Sequence, residues 1–248
     1  MIGNPKSALI SGASRGIGLG IANRLAQQGY SLTITARDAA RLGEVATHLR
    51  AAGAADVVAV AADISDPDGV AAVLAQHSDR FDTMSALILN AGVGTAGALA
   101  DSSMRRFDKT FAVNVRGPVQ LIRGALPMLR AGAMADPERG AKVIALSSIT
   151  GVYAEAGLSV YGAAKAALIS LIATLNAEES GSGVTATTIA PGYVDTDMSA
   201  WVHDRIPPDR MLAVNDVVEM VDVLLRLSPR AVVANIVMSR AGTDGYRA

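Results

Sequence analysis

Residues 7–20 read SALISGASRGIGLG, and the order of apolar residues and glycines in this stretch indicates the fold. A short apolar run, 7–11, leads directly into Gly12, Gly16 and Gly18, and an apolar segment with helical spacing follows. A buried strand that passes through a glycine-rich turn into a helix is typical of open sheets with parallel strands. We therefore expect a first strand at 7–11 and a first helix at 16–28.

The rest of the chain repeats this alternation. Further apolar runs are short and continuous, as in strands buried on both faces, and lie at 32–35, 57–61, 86–89, 143–146, 185–189 and 232–238. Segments with helical spacing separate them, at 39–52, 67–78, 106–130, 161–179 and 215–227. The sequence predicts an α/β fold, a doubly wound parallel sheet of the Rossmann type with helices on both faces, in a single domain spanning 1–248.

Two segments fit neither pattern. Residues 131–141 contain an Asp-Pro pair and are expected to form a surface loop before the fifth strand. Residues 196–212 contain a Pro-Pro pair and follow the carboxyl end of a strand, where α/β proteins bind their ligands. We predict that this second segment is a substrate lid.

Composition narrows the possible classes of function. The formal net charge is −1, which argues against nucleic-acid binding. The chain has no cysteine, which excludes thiolate chemistry and disulfides. The three histidines are far apart in sequence, so no metal site is predicted. Residues 1–6 lack the features of a signal peptide, and no apolar run approaches about 18 residues, so we expect a cytoplasmic protein without a membrane span.

The glycine turn after the first strand predicts a dinucleotide site. Gly12 permits a tight turn, Gly16 lets a pyrophosphate approach the backbone, and Gly18 lets the helix pack closely on the strand. The N-terminus of the helix then offers unpaired N–H groups to the phosphates. The literal G-x-G-x-x-G at 92–97 has no clear helix beginning inside it, so we interpret it as a loop.

The end of the second strand bears on cofactor choice. An acidic residue there would bind the ribose hydroxyls of NAD, whereas arginine accommodates the 2′-phosphate of NADP. Arg37 occupies this region and Arg15 lies in the nearby turn, which favours NADP(H). Asp38 is either the ribose acid, displaced by a residue or two, or the N-cap of the next helix; we prefer the N-cap, and NAD(H) remains the alternative.

Tyr161 and Lys165 form a second candidate constellation. Residues four apart share one face of a helix, so a phenol and an ammonium group can point the same way. A neighbouring lysine cation and a positively charged nicotinamide both favour the phenolate, so we expect them to lower the pKa of the tyrosine from its ordinary value of about 10. On its own, this spacing also fits an unremarkable surface pair.

Taken in order, the motifs resemble the short-chain dehydrogenase/reductase family, of the single-domain type that includes 3-oxoacyl-(acyl-carrier-protein) reductases. The matching positions are Gly12, Gly16 and Gly18, Asp63 after the third strand, 90–92 after the fourth, Asn114, Ser148 after the fifth, Tyr161, Lys165, and 191–192 after the sixth. Leu89 departs from the family pattern. So does the end of the chain, 239–245, which lacks the Asp-Gly-Gly of many ketoacyl reductases.

The resemblance implies a role for each matching residue. Ser148 would orient the substrate carbonyl, Tyr161 would transfer the proton and Lys165 would hold the nicotinamide ribose, while Asn114 would anchor a water. The implied cofactor-binding residues are Gly12, Ser14, Arg15, Gly16, Ile17, Gly18, Arg37, Asp63, Ile64, Asn90, Ala91, Gly92, Tyr161, Lys165, Pro191, Gly192, Val194 and Thr196.

The resemblance also implies a reaction. We expect an NADP(H)-dependent oxidoreductase that transfers a hydride between nicotinamide and a ketone or secondary alcohol, most often as a reductase. A 3-oxoacyl thioester, a small ketone and a sugar-like carbonyl all remain open as substrates. The alternatives are an NAD-dependent alcohol dehydrogenase of the same fold and a dinucleotide-binding regulator without turnover. The family habit implies a homotetramer or homodimer.

Overall fold

The computed structural model describes residues 6–246, which form one sheet of seven strands flanked by helices. The strands are β1 (Ser7–Ser11), β2 (Ser31–Ala36), β3 (Asp56–Ala61), β4 (Ala86–Leu89), β5 (Ala141–Leu146), β6 (Val184–Pro191) and β7 (Asn235–Met238). Every neighbouring pair is parallel, and the order is β3-β2-β1-β4-β5-β6-β7. The predicted doubly wound sheet is confirmed. The expectation that residues 1–6 are not a signal peptide concerns residues that, apart from Lys6, lie outside the described range.

Within residues 6–246, seven α-helices connect the strands: α1 (Gly16–Gln27), α2 (Ala39–Ala51), α3 (Pro67–Ser78), α4 (Met104–Phe111), α5 (Gly117–Ala135), α6 (Ser159–Glu179) and α7 (Val214–Arg226). Local signals place several of their ends. Asp38 caps α2 by accepting a hydrogen bond from the backbone N–H of Arg41, and Asp66 caps α3 ahead of Pro67. Gly29, just after α1, has a positive φ of 76°, which lets the chain turn back into β2.

The core lies on both faces of the sheet. Successive residues of a strand point to opposite faces, so Ile10 packs among side chains of α1, α2 and α7, whereas Leu9 packs among those of α3, α5 and α6. Both side chains are fully buried, and burial of such a side chain stabilises the fold by roughly 1.5–3 kcal/mol. The sheet is therefore a rigid platform, and its carboxyl edge presents the connecting loops.

The structure corrects the single helix expected at 106–130. Helix α4 ends at Phe111, a π-helical turn spans Ala112–Arg116, and α5 then continues to Ala135. The first part of the loop expected at 131–141, up to Ala135, is therefore helical, and 136–140 form the connection to β5. In this extension Gly132 packs directly on Met84, where an added Cβ would lie only 2.2 Å from the backbone oxygen.

The last strand and the expected lid also differ in detail from their sequence patterns. Strand β7 begins at Asn235 rather than 232, because only 235–238 pair with the edge of β6. Residues 196–212 fold as two short 3₁₀ helices, Asp197–Val202 and Pro208–Arg210. A parallel bridge between Val194 and Leu212 closes the base of this segment.

Helix α6 and the turn after it, Ser159–Ser182, form the one described segment that is long and apolar enough to cross a membrane by length and composition. The contacts of this helix are those of a helix packed on a sheet. Lys165 and Glu179 are buried on it, and the side-chain amide of Asn176 bonds both backbone polar groups of Ala186 in β6. The face of α6 that carries Leu168, Ile172 and Leu175 packs into the core, and 39% of the apolar window is buried.

Candidate active site

The candidate site lies where the strand order reverses, between β1 and β4. In open parallel sheets the crevice for ligands opens outside the carboxyl ends of the strands at this reversal. The loops that follow β1, β4, β5 and β6 all leave the sheet at that edge. These four loops carry half of the site residues that the sequence singled out, and most of the others lie on the helices that follow the loops or after β2 and β3.

The glycine turn is fixed by Asn90, which follows β4. Its side-chain amide donates to the carbonyl oxygens of Ser11 and Gly12, at 3.1 and 2.9 Å. The Ser11 hydroxyl accepts hydrogen bonds from the backbone N–H groups of Asn90 and Ala91, both at 3.1 Å. Gly12 itself has a positive φ of 69°, which favours glycine. Asn90, expected only to line the cofactor, therefore also locks the shape of the turn.

The N-terminus of α1 suits a pyrophosphate group. Arg15 occupies the N-cap position with an extended backbone, its side chain forms no capping hydrogen bond, and the first turn has no acidic residue. The N–H groups of this turn, with Gly16 and Ile17 partly exposed, thus keep their affinity for an anion. An anionic dinucleotide fits the residues present.

The surroundings of the turn are basic. Arg37 is exposed at the end of β2, and Arg41 donates from Nε to the carbonyl oxygen of Ser14 at 3.0 Å. Asp38 is engaged as the cap of α2, as we expected when weighing it against a ribose-binding role. Arg41 was missed in the sequence because a helical arginine has no local signal for this contact.

Tyr161 and Lys165 lie on the first turns of α6, facing each other. The Lys165 ammonium lies 5.6 Å from the centre of the Tyr161 ring and donates to the carbonyl oxygen of Leu146 at 2.7 Å. The Ser147 hydroxyl donates to the carbonyl oxygen of Lys165 at 3.0 Å. These two bonds attach α6 to the end of β5 and fix the direction of the lysine side chain.

Gly92 and Asn114 complete the group around Lys165. A Cβ atom placed on Gly92 would lie 3.0 Å from Asn114 Oδ1 and 3.5 Å from Lys165 Nζ. Asn114 projects from the π-helical turn, and its side-chain amide bonds both backbone polar groups of Val93, at 2.9 and 3.1 Å. The structure therefore brings together the loop after β4, the π-helical turn and α6.

Ser148 is buried beside this group. Its hydroxyl oxygen accepts hydrogen bonds from the Thr150 hydroxyl at 2.9 Å and from the Thr150 backbone N–H at 3.3 Å. Thr150 was not singled out in the sequence, where the only signal was a hydroxyl residue two positions after a serine. Its two hydrogen bonds fix the position of the Ser148 hydroxyl.

The electrostatics of the pair differ from the expectation. Burial raises the pKa of Tyr161 to about 12, and a hydrogen bond with Ser148 opposes this rise. Burial also lowers the pKa of Lys165, to about 8. The expected lowering of the tyrosine pKa by the lysine is wrong for this state of the site, because the loss of hydration outweighs the charge of the neighbour. At neutral pH Tyr161 therefore carries its proton.

A family model described as short chain dehydrogenase matches residues 6–206. The chain belongs to the short-chain dehydrogenase family. It is 31% identical over 202 residues to the 3-oxoacyl-(acyl-carrier-protein) reductase FabG of Staphylococcus aureus, an alignment that covers 81% of this chain and 79% of the relative. The resemblance noted in the sequence is thus confirmed.

Solved structures of the short-chain dehydrogenase type superpose over nearly the whole chain. An alcohol dehydrogenase from the archaeon Thermococcus sibiricus, complexed with 5-hydroxy-NADP, has a TM-score of 0.86 and 26% identity, covering 99% of each chain. A 3-ketoacyl-(acyl-carrier-protein) reductase from Brucella melitensis, complexed with NADH, has a TM-score of 0.82 and 28% identity, covering 94% of this chain and 96% of the other.

The residues that the family implies for adenine lie after β3. Asp63 closes a turn by accepting from the backbone N–H of Ser65 at 2.9 Å and from its hydroxyl at 2.7 Å. The backbone hydrogen bond from Ser65 lowers the pKa of Asp63 most, and the charge of Arg37 adds to it. Ile64 is buried in the core beneath this turn, with 6% of its surface exposed.

The residues implied for the nicotinamide end lie after β6. Pro191 ends the strand, and Gly192 donates from its N–H to the carbonyl oxygen of Met238 at 2.8 Å. Val194 is buried and forms the bridge that closes the base of the lid segment. Thr196 begins that segment, and its methyl carbon would lie 3.4 Å from a Cβ placed on Gly16.

The lid segment contacts the glycine turn through an ion pair that the sequence did not reveal. The Arg15 guanidinium bonds the Asp197 carboxylate at 2.9 Å, and both side chains are exposed. Arg15, expected to bind a phosphate, is thus shared with the lid. Over residues 6–246 no group of three or more acidic or histidine side chains is arranged to hold a metal ion.

Proposed function

We propose that this short-chain dehydrogenase is an NADP(H)-dependent carbonyl reductase that interconverts a ketone and a secondary alcohol. The observation that supports this most strongly is the arrangement of Ser148, Tyr161 and Lys165, in which the lysine ammonium lies 5.6 Å from the phenol ring and the serine hydrogen-bonds the phenol. Gly12, Gly16 and Gly18, with the start of α1, would hold the dinucleotide at the same edge of the sheet.

When bound, the nicotinamide supplies the hydride that reaches the carbonyl carbon. Tyr161 supplies the proton: its pKa of about 12 keeps the phenol protonated at neutral pH, ready to donate to the carbonyl oxygen. The carbonyl thereby gains hydrogen at carbon and at oxygen and becomes an alcohol. Lys165 stabilises the phenolate that remains, because its ammonium is held close by the bond to Leu146.

Ser148 orients the substrate. Its oxygen accepts two hydrogen bonds from Thr150 and its hydroxyl also hydrogen-bonds the Tyr161 phenol, so its own proton points to the side of Tyr161, where a carbonyl oxygen would accept it. Both ends of the Asn114 amide are engaged with Val93, so the water-anchoring role implied by the family would fall to its backbone carbonyl, in the π-helical turn.

The preference for NADP(H) rests on Arg15 and Arg37, together with the use of Asp38 as a helix cap. The Thermococcus structure holds an NADP derivative and the Brucella structure holds NADH, so NAD(H) remains the alternative. In Arg37→Ala we expect NADPH to bind about 10- to 100-fold more weakly by nucleotide fluorescence, with NADH affected less than two-fold, as fits the loss of charge-assisted hydrogen bonds. Arg123→Ala, exposed on α5, is the control. An unchanged NADPH dissociation constant in Arg37→Ala would remove the role assigned to that residue.

The catalytic proposal is tested by turnover. A panel of 3-oxoacyl thioesters, small ketones and sugar-like carbonyls is offered with NADPH, and its oxidation is followed by absorbance. We expect at least one class to be reduced and Tyr161→Phe to lower kcat by about 10²–10⁴-fold. No turnover with any carbonyl, despite NADPH binding, would favour the alternative of a dinucleotide-binding regulator.

We also infer that residues 196–212 act as a lid over the substrate and that the chain forms a cytoplasmic homotetramer or homodimer. The lid is supported by its closed base at Val194 and Leu212 and by the Arg15–Asp197 contact across the crevice. Self-association is inferred from the resemblance to the family. Light scattering that gives the mass of a monomer would rule out the assembly.

A further inference from the structure

A hydrogen bond links the loop that follows β5 to the loop that follows β6. The Tyr193 hydroxyl donates to Glu155 Oε1 at 2.9 Å. Glu155 lies on the loop between Ser148 and the start of α6, and Tyr193 lies just after β6. Both loops leave the sheet at its carboxyl edge, and Tyr161 is close enough to Tyr193 to influence its pKa, so this carboxylate lies near the proposed proton donor.

The second oxygen of this carboxylate has no partner. Glu155 Oε2 is shielded from solvent and accepts no hydrogen bond from any residue in 6–246. Buried polar atoms in native structures are normally paired, and an unpaired carboxylate oxygen is especially costly. Neither the proton transfer nor cofactor binding uses this oxygen, so its persistence points to a ligand that supplies the missing donor.

The charges nearby show which groups share this space. Burial raises the pKa of Tyr193 above its ordinary range, and the hydrogen bond and charge of Glu155 raise it further. Tyr161 acts in the same direction, whereas Arg205 lowers the pKa. The catalytic phenol, the carboxylate and a lid arginine are thus all close enough to influence Tyr193.

Aromatic side chains gather around the same space. Trp201 on the lid packs edge-on against Tyr193, with ring centres 6.1 Å apart, and Tyr246 packs against Tyr153 at 5.0 Å. Trp201 and Tyr246 nevertheless remain 52% and 62% exposed. The chain has five tyrosines and one tryptophan, and all except Tyr30 lie at the site or on its surrounding loops. Exposed aromatic faces of this kind suit a ring-bearing substrate.

We propose that Glu155 is a specificity-determining residue that accepts a hydrogen bond from a hydroxyl group of the substrate, so that the preferred substrates are ring-bearing ketones that carry a hydroxyl. This inference rests on the proposed carbonyl reductase function. The Arg205 guanidinium lies 5.5 Å from the centre of the Trp201 ring, on the same side of the site. This positive charge would repel an ammonium group of the substrate, so a hydroxyl is favoured. A second carboxylate on the substrate would be repelled by Glu155 itself.

The test compares matched substrates in matched variants. Acetophenone and its 2′-, 3′- and 4′-hydroxy analogues are reduced with NADPH by wild type, Glu155→Gln and Glu155→Leu. In wild type we expect kcat/KM for the best hydroxy isomer to exceed that for acetophenone by about 10- to 100-fold, the factor a charge-assisted hydrogen bond supplies. The ratio should fall partly in Glu155→Gln, whose amide oxygen still accepts, and to near one in Glu155→Leu.

The control is Glu138→Gln, an exposed acid in the loop before β5, at the opposite edge of the sheet, which should keep the wild-type ratio. If Glu155→Leu fails to fold, the test depends on the nearly isosteric Glu155→Gln, in which the ratio of the two kcat/KM values should still decrease. Wild type that reduces these ketones without a hydroxyl preference, or variants that keep the preference, would overturn the inference and leave the proposed function intact.

A binding measurement separates this inference from the proposed function. Trp201 is the sole tryptophan of the chain and contacts Tyr193, so its fluorescence reports ligands in this space. The three isomers of 1-(hydroxyphenyl)ethanol, which are the alcohols corresponding to the three hydroxyacetophenones, are each titrated without cofactor. We expect it to bind about 10-fold or more tightly than 1-phenylethanol in wild type but not in Glu155→Leu. Equal affinities would overturn the inference, even if no ketone is turned over.

Discussion

Replacing Gly18 with alanine should damage the cofactor turn and the fold together. Gly18 lies in the first turn of α1, and a Cβ there would sit 2.3 Å from the Gly12 carbonyl oxygen and 2.4 Å from Asn90 Nδ2. Neither atom is the free end of a flexible side chain. One belongs to the backbone of the turn, and the other is held by its bonds to Ser11 and Gly12. Space for a methyl group can therefore come only from moving the turn or breaking these bonds.

The magnitude can be worked from these contacts. Overpacking a tight site costs about 1–3 kcal/mol, and losing the two hydrogen bonds of Asn90 costs about 1 kcal/mol each. Alanine gains about 1 kcal/mol over glycine in helix propensity, which offsets part of the cost. We therefore expect Gly18→Ala to lower the free energy of unfolding by about 2–4 kcal/mol in urea titrations and to weaken NADPH binding at least about ten-fold by nucleotide fluorescence.

Gly43→Ala is the matched control. Gly43 lies inside α2, and a Cβ there would meet nothing within 4 Å, so alanine should stabilise the protein by about 0.5–1 kcal/mol through helix propensity alone. Equal stabilities for Gly18→Ala and wild type, with unchanged NADPH affinity, would refute the close packing of helix and turn on which the proposed phosphate site depends.

Burial lowers the pKa of Lys165 from 10.5 to about 8, so the folded state releases its proton at lower pH than the unfolded state, and stability rises from pH 8 to 10. Lys165→Met should remove roughly 2–3 kcal/mol of that rise in urea titrations; an unchanged slope would contradict the burial of this charge. Burial lowers the pKa of His77 from 6.5 to about 4, so the unfolded state takes up the proton first and stability falls as the pH drops through this range. Between pH 7 and 4.5, the free energy of unfolding of His77→Gln should fall by roughly 2–3 kcal/mol less than that of wild type. An equal fall in the two proteins would mean that another group causes the loss of stability. Asp197→Ala frees Arg15 from an exposed pair worth up to about 1 kcal/mol, so the NADPH dissociation constant should fall by up to about five-fold, with Asp209→Ala as the control. Weaker binding in Asp197→Ala would instead mean that the pair supports the site.

The sequence predicts the parts of this protein that local patterns encode. The strand, glycine turn and helix around Gly12, and the spacing of Tyr161 and Lys165 on one helix face, depend on neighbours only a few residues away. Their positions in the structure agree with the prediction, and the order of the motifs along the chain led to the correct family.

The features that the sequence did not reveal depend on distant contacts. The π-helical turn is stabilised by the bonds from Asn114 to the backbone of Val93, in another loop. The Arg15–Asp197 pair joins residues 182 positions apart, and no local period can indicate it. The pKa of Tyr161 was misjudged for a related reason, since burial depends on the packing of the whole site and not on the nearest charge.

The proposed reaction can be tested with NADPH that carries deuterium at the transferring position of the nicotinamide ring. The alcohol formed from a ketone that wild type reduces is examined by mass spectrometry, in wild type and in Tyr161→Phe. We expect one deuterium on the carbinol carbon, with the oxygen-bound proton exchangeable with water, and a rate at least about 100-fold lower in Tyr161→Phe. An alcohol without deuterium, or equal rates in the two proteins, would contradict hydride transfer at a site where Tyr161 supplies the proton.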